Sequence, residues 1–323
     1  MLVSVLMPIH GKARFLQDAV QSVIDQDYNS WKLLMVLDRP SSELSDEAKR
    51  LTLKDARIES LVSPGSGIVD ALNFGLEIAD TNLIARLDSD DVMESSRLKK
   101  QVAYLNDFSD VVCVGSQLTL IDVDSNPISA TNYPLSFKAI KRTLKYQNCI
   151  GHPSVMFRRE AIILLGGYRK LLTGVEDYDL WLRLCKTTKI VNLKETLTKY
   201  RVYPDQYSKS FGDSYTDLEE VARLDSIFQV LQGKFKDESD KTSFREFVHS
   251  IRRENFKQHP LKVFSSYQGL FVSKIIRVRG SKTSKTVKLI RCAPLIFGIT
   301  LVAPRTAFDI LNRTLKAWLK KNK

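Results

Sequence analysis

Two rhythms of apolar residues alternate along the first hundred positions. Leu2–Ile9 and Trp31–Leu37 are nearly unbroken apolar runs, the pattern of strands buried on both faces. Between them, Ala13–Gln26 carries its apolar residues at helical spacing, which predicts an amphipathic helix. A polar loop over 39–45 leads into a helix to about Leu53, a strand at Ile58–Val62, a turn at Ser63-Pro-Gly-Ser-Gly67, and a helix at Ile68–Ala79. A fourth strand, Leu83–Leu87, stops on Asp88-Ser-Asp-Asp91, and Val92–Tyr104 has the spacing of the next helix. Strands separated by helices of this length imply βαβ units, and so an α/β fold with a mainly parallel sheet. Ligands of such sheets bind beyond the carboxyl ends of the strands. Two of these strands end in carboxylates, at Asp38 and at Asp88/Asp90/Asp91.

The pattern loosens after residue 110. A strand near Val111–Leu120, a hairpin to about Asn132 and a helix at Phe137–Tyr146 are predicted. Glu176-Asp-Tyr-Asp-Leu-Trp-Leu-Arg-Leu-Cys185 reads as a helix with acids in its first turn, where the helix dipole favours negative charge. Residues 216–260 read as helical and well charged. The most apolar window, Cys292–Pro304, is 13 residues long and holds two prolines. That is well short of the roughly 20 residues a bilayer span needs, so it suits lying on a membrane better than crossing one.

Charge changes the picture once it is divided along the chain. The 323 residues carry a net charge of +12, yet residues 216–323 hold 22 basic and 10 acidic side chains, and residues 1–215 hold 27 of each. From Phe256 onward, 15 basic residues face the single acid Asp309. The tail therefore predicts an anionic partner, and its interleaved apolar residues favour an anionic membrane surface over a plain solvated face; no nucleic-acid module is present. The four cysteines stand at least 36 residues apart, which suggests neither a zinc site nor a disulfide framework. Met1–Gly11 has no basic residue ahead of its apolar stretch and reads as a strand, not a signal peptide, so no export is expected.

Three acidic groups are candidates for chemistry, each with a structural alternative. Asp88 and Asp90, two apart on a turn, can converge on a hard divalent cation that also holds phosphate oxygens; equally, Asp90 or Asp91 can cap a helix at Val92–Tyr104. Asp38 beside Pro40 can be a turn former. Glu176-Asp177 can supply a general base or cap its own helix.

Taken in order, Leu6-Met-Pro-Ile-His10, Val36-Leu-Asp38, Ala71-Leu-Asn-Phe-Gly75, Ala85-Arg-Leu-Asp-Ser-Asp-Asp91, His152-Pro-Ser-Val-Met-Phe-Arg158, Gly166-Gly-Tyr168, Glu176-Asp-Tyr-Asp-Leu-Trp-Leu-Arg183 and Tyr200-Arg201 resemble glycosyltransferase family 2. The resemblance covers about residues 1–210 and is closest to bacterial enzymes that extend exopolysaccharide or lipopolysaccharide chains. It implies a GT-A fold over 1–215, with nucleotide-sugar binding in about 1–110 and the acceptor side in 111–215, followed by a helical, basic, membrane-associating region at 216–323. It implies an inverting transfer from a nucleotide-sugar, most often UDP-linked, with Mn²⁺ or Mg²⁺, to a hydroxyl of a lipid-linked glycan on the cytoplasmic face of the membrane. Carried over by residue, Pro8 lines the base pocket, Asp38 contacts uracil or ribose, and Asp88 and Asp90 hold the metal, with Asp88 nearer the ribose. Asp177 is the catalytic base, and Arg86 and Arg201 lie near the diphosphate.

The chain departs from the family pattern in four places. The V-D-D-G-S element is Val36-Leu-Asp-Arg-Pro-Ser41, so Leu37 replaces an acid and the glycine is missing. His10 occupies an aromatic position. The histidine that follows Tyr-Arg in many relatives is absent from Tyr200-Arg-Val-Tyr203, which leaves the third metal ligand open, with His152 as a candidate. The Q-x-x-R-W element of processive synthases is also absent, which implies one sugar per encounter. Two rival functions remain at this point, a sugar-phosphate nucleotidyltransferase and a catalytically silent nucleotide-sugar-binding scaffold. The first would need a Gly-rich basic loop, and Met7-Pro-Ile-His-Gly-Lys12 is a poor one.

Overall fold

The computed structural model describes residues 1–11, 14–204, 206, 219, 222 and 226. The chain divides into two units, residues 1–219 and 220–323, and the sheet with its flanking helices belongs to the first. The basic, membrane-associating region expected at 216–323, including Cys292–Pro304, lies outside the described residues apart from those single positions.

Four parallel strands form one side of a nine-stranded sheet: β1 (Val3–His10), β2 (Trp31–Asp38), β3 (Ile58–Val62) and β4 (Leu83–Arg86), in the order β3-β2-β1-β4. Helices α1 (Leu16–Ile24), α2 (Ser42–Thr52) and α3 (Ile68–Ile78) connect them. Helix α2 starts within the segment read as loop, because the Ser41 hydroxyl accepts from Leu44 N–H and caps it. Helix α3 crosses β1 closely: a Cβ on Gly75 would stand 2.2 Å from Leu6 Cδ1, so only glycine permits this approach. The core between sheet and helices is apolar, with Val5, Met7, Leu33 and Met35 fully buried beside Val20 and Leu83.

The expected helix at Val92–Tyr104 is corrected. Val92–Met93 is a short strand, β5, and helix α4 runs from Arg97 to Asp107. β5 pairs antiparallel with β9 (Lys189–Arg201), a 13-residue strand that the sequence pattern did not reveal. That long-range pairing outcompetes the helix propensity of Met93, while the β-branched Val92 suits a strand. Asp90 and Asp91 therefore lie well upstream of a helix start, and the capping alternative for them falls.

The rest of the sheet is mixed. β6 (Val111–Ile121) and β7 (Pro127–Ala130) form the expected hairpin, and the order continues β4-β8-β6-β9-β5, with β8 at Met156–Arg158. β8 runs antiparallel to both β4 and β6, and β6 runs parallel to β9. Helices α5 (Phe137–Thr143), α6 (Arg159–Leu164) and α7 (Glu176–Thr187) flank this part. Among the described residues, no helix is long and apolar enough to cross a membrane.

Candidate active site

One cavity of about 520 Å³ opens at the carboxyl ends of β1, β2 and β4, and the opening turn of α7 reaches it as well. Pro8, Asp38, Arg86, Asp88, Asp90 and Asp177 all line it. The structure thus brings together every residue singled out from the sequence except Arg201.

Asp38 ends β2 directly opposite His10 in the parallel register with β1. Its carboxylate is 2% exposed. It accepts from Gly67 N–H at 2.9 Å and lies 2.9 Å from His10 Nδ1, with Arg39 Nε 3.4 Å away. Gly67 stands at φ +92, a left-handed conformation that lets the turn before α3 aim its amide at Asp38. Leu37 is buried core, so the acid missing there has become a packing residue.

Arg86 ends β4 and is 1% exposed. Its Nη2 donates to Asp88 Oδ1, while Nε and Nη1 have no hydrogen-bond partner among the described residues. A buried guanidinium with idle donors is costly unless an anion completes it. Asp90 sits below the same loop, its Oδ2 accepting from the Tyr203 hydroxyl at 2.9 Å. Burial and the nearby Asp88 charge raise its pKa to about 6.

Arg201 is corrected as a cavity residue. It is fully buried at the end of β9 and does not line the cavity. Its guanidinium donates to the carbonyls of Asp90, Asp122 and Val123 and stacks 4.1 Å over the Phe15 ring. Its backbone N–H donates to Asp91 Oδ1. Arg201 thus holds the Asp88–Asp91 loop from beneath, because the end of β9 turns its side chain toward the β6–β7 turn.

On the opposite side, Val175 occupies the cap position of α7 and its side chain makes no capping bond. Asp177 accepts from Tyr178 N–H at 2.7 Å and from Asn148 Nδ2 at 2.9 Å. Burial raises its pKa to about 6, and both hydrogen bonds oppose the shift. Such a carboxylate is ionised at neutral pH yet basic enough to take a proton. Glu176 binds Gly174 N–H at 2.6 Å and is raised to about 7, first by burial and then by the Asp177 charge. His152 lies 2.9 Å from the Tyr168 hydroxyl through Nε2, and burial pushes its pKa well down, so the ring is neutral.

A family model for glycosyl transferase family 2 matches residues 4–165, half of the chain and every element from β1 to α6. The chain belongs to that family. It is therefore a glycosyltransferase, and its fold is GT-A. The O-antigen biosynthesis glycosyltransferase WbnJ of Escherichia coli is 30% identical over 213 residues, 65% of this chain and 83% of that one. The UDP-Gal:alpha-D-GlcNAc-diphosphoundecaprenol beta-1,3-galactosyltransferase of Escherichia coli is 25% identical over 282 residues, 85% of this chain and 96% of that one. Among solved structures, S. aureus TarS 1-349 in complex with UDP-GlcNAc superposes with a TM-score of 0.57 at 14% identity, over 94% of this chain and 82% of that one, a likeness of fold.

Within this family-2 cavity the donor set suits a hard divalent cation. Asp88 and Asp90 offer carboxylate oxygens two residues apart, and the pKa of Asp90 is raised first by its burial and then by the nearby Asp88 charge. Among the described residues, no cluster of three His, Cys, Asp or Glu side chains supplies a full protein cage. His152 is engaged with Tyr168, so two carboxylates, with phosphate oxygens and water, form the fitting set. No sequence pattern points to Asn148 or Tyr203, whose partners in the cavity, Asp177 and Asp90, stand 29 and 113 residues away along the chain. Only the absence of a histidine after Tyr200-Arg201 marked that stretch as unusual.

Proposed function

We propose that this glycosyltransferase is inverting and metal-dependent, moving a sugar from a UDP-sugar to a hydroxyl of a lipid-linked glycan in cell-surface polysaccharide synthesis. The observation that carries the reading is the meeting of Asp88, Asp90, Asp177 and the half-unpaired Arg86 on one cavity. The relatives support the context: one is described by O-antigen biosynthesis, another by a UDP-galactose donor and a diphosphoundecaprenol acceptor. Membership in the family replaces the nucleotidyltransferase and scaffold alternatives.

Each residue has a task. Asp88 and Asp90 hold Mn²⁺ or Mg²⁺, which when bound neutralises charge on the departing diphosphate. Arg86 donates Nε and Nη1 to the same oxygens in a water-poor site, where such donors act strongly. Pro8 and Asp38 hold the nucleoside. Asp177 accepts the proton of the attacking hydroxyl, and the new bond forms on the face opposite the leaving diphosphate. Arg201 serves by fixing the loop, one step removed from the diphosphate.

Residues 1–215 carry the transfer, and the basic region at 216–323 holds the enzyme peripherally on the inner face of the cell membrane near its acceptor, each basic residue near the surface adding about 1 kcal/mol. Two measurements test the whole. Purified enzyme with Mn²⁺ and a panel of UDP-sugars should release UDP, and chelation should stop the release. Sedimentation with phosphatidylglycerol vesicles should exceed that with phosphatidylcholine vesicles; equal binding rejects the membrane role and leaves the chemistry untouched.

A further inference from the structure

The donor end of the cavity brings Asp38 and Arg39 together at the end of β2. The Asp38 carboxylate has three nitrogen neighbours: it accepts from Gly67 N–H and Arg39 Nε, and His10 Nδ1 lies 2.9 Å from its Oδ2. A carboxylate offers about four acceptor directions, so one remains for a ligand in the cavity that Asp38 lines.

Arg39 is the second half of the arrangement. Among the described residues, only Arg39 and Ser125 are non-glycine residues at positive φ, Arg39 at +46. That conformation is strained for a side chain with a Cβ, and such strain gathers where function over-determines the backbone. It turns Arg39 back onto its neighbour, so that Nε sits on Asp38 and the side chain joins the cavity lining. The two Nη nitrogens have no partner among the described residues.

An acceptor therefore lies next to unengaged donors. The complementary base edge presents an N–H beside a C=O, as uracil does at N3–H and O4 and guanine at N1–H and O6. Cytosine and adenine present a bare ring nitrogen beside an amino group, the reverse order. We propose that Arg39, together with Asp38, reads the lactam edge of the donor base, which makes Arg39 a specificity-determining residue for a uridine over a cytidine or adenosine diphosphate sugar. The inference rests on the reading of this cavity as the nucleotide-sugar site.

The test is calorimetric titration of the full chain with UDP and with CDP in the presence of Mg²⁺, for the native protein and for Arg39→Gly. Glycine adopts the observed φ without steric cost, so the variant keeps the turn. The native protein should prefer UDP to CDP by at least about tenfold, the worth of one charge-assisted hydrogen bond. Arg39→Gly should lose that preference by weakening UDP binding about tenfold while leaving CDP binding unchanged. An undiminished UDP preference in the variant overturns the proposal, and so does an equal loss for both nucleotides, which marks Arg39 as a support for the loop alone. A native protein that binds neither UDP nor CDP removes the functional reading itself.

Discussion

The two sides of the cavity are built on different principles. The donor side, β1 to β4 with α1 to α3, consists of consecutive βαβ units whose strands are all parallel, β1 lying between its sequence neighbour β2 and the more distant β4. The acceptor side, residues 111–206, is assembled from strands paired across the chain: β6 lies between β8 and β9, and β9 reaches back to β5. The first supplies fixed charged groups at strand ends, whose positions follow from the sheet. The second supplies Asp177 and Tyr203, whose positions depend on contacts with segments remote in sequence. On the proposed reading, binding and proton transfer fall to separately built structures that meet at one cavity.

Substituting Asp177, the proposed base of the acceptor side, gives the largest effect. Asp177→Asn should reduce turnover about 10³-fold, within the range for loss of a general base, while UDP affinity stays near native; Asp90→Ala should lose both. Steady-state kinetics with calorimetric UDP binding separates the two, and a Asp177→Asn enzyme that retains turnover refutes the assignment. The same variant carries a stability signature. The pKa of Asp177 is about 6 in the fold, above its ordinary unfolded value, so the folded state binds more protons between about pH 4 and 6. Stability contributed by this group is therefore greatest at low pH and falls as pH rises through that window, and Asp177→Asn should flatten the slope of melting temperature against pH there.

The two building principles also explain what the sequence discloses. Strands β1 to β4 and α3 are legible because buried parallel strands read as apolar runs and their helices as periodic ones. Asp38 and Asp88 are legible as strand-end acids by position. β5 and β9 are not, because Val92 and Met93 become a strand only through pairing with Thr198 and Lys199, a hundred residues on. The burial of Arg201 is hidden for the same reason: its partners are the Asp90, Asp122 and Val123 carbonyls, which no local pattern connects. Asp177 was readable through resemblance, while Asn148, which holds it, was not.

A smaller break falls on the donor side. Arg86→Met keeps most of the side-chain volume and removes the buried charge. UDP affinity should fall about a hundredfold, since two idle donors lose their phosphate acceptors, while the KM for acceptor is unchanged. Comparable losses for donor and acceptor would place Arg86 in the scaffold.

The acid limb of the pH profile tests the acceptor side again. Activity should fall as pH drops through about 6, where Asp177 takes up a proton, and be full above it. Asn148→Ala removes a hydrogen bond that favours the ionised form, so the limb should move to higher pH with the plateau rate reduced only a fewfold. A limb that stays in place shows that Asn148 packs without tuning the base.

The smallest effect lies where the two constructions touch. Tyr203 comes from the acceptor side, yet its hydroxyl donates to Asp90 on the donor side, and its ring packs 5.7 Å from Phe15. Tyr203→Phe preserves the ring contact and removes only the hydrogen bond, so the melting temperature should barely move. Metal affinity, read by manganese titration under paramagnetic resonance, should weaken about threefold to tenfold, because a carboxylate freed from its donor is less firmly oriented. A double-mutant cycle with Asp90→Asn isolates the coupling. If Tyr203 acts through Asp90, the second substitution adds nothing to the first in metal binding. If the effects add, Tyr203 contacts the bound ligands directly, and the boundary between the two sides of the cavity runs through its hydroxyl group.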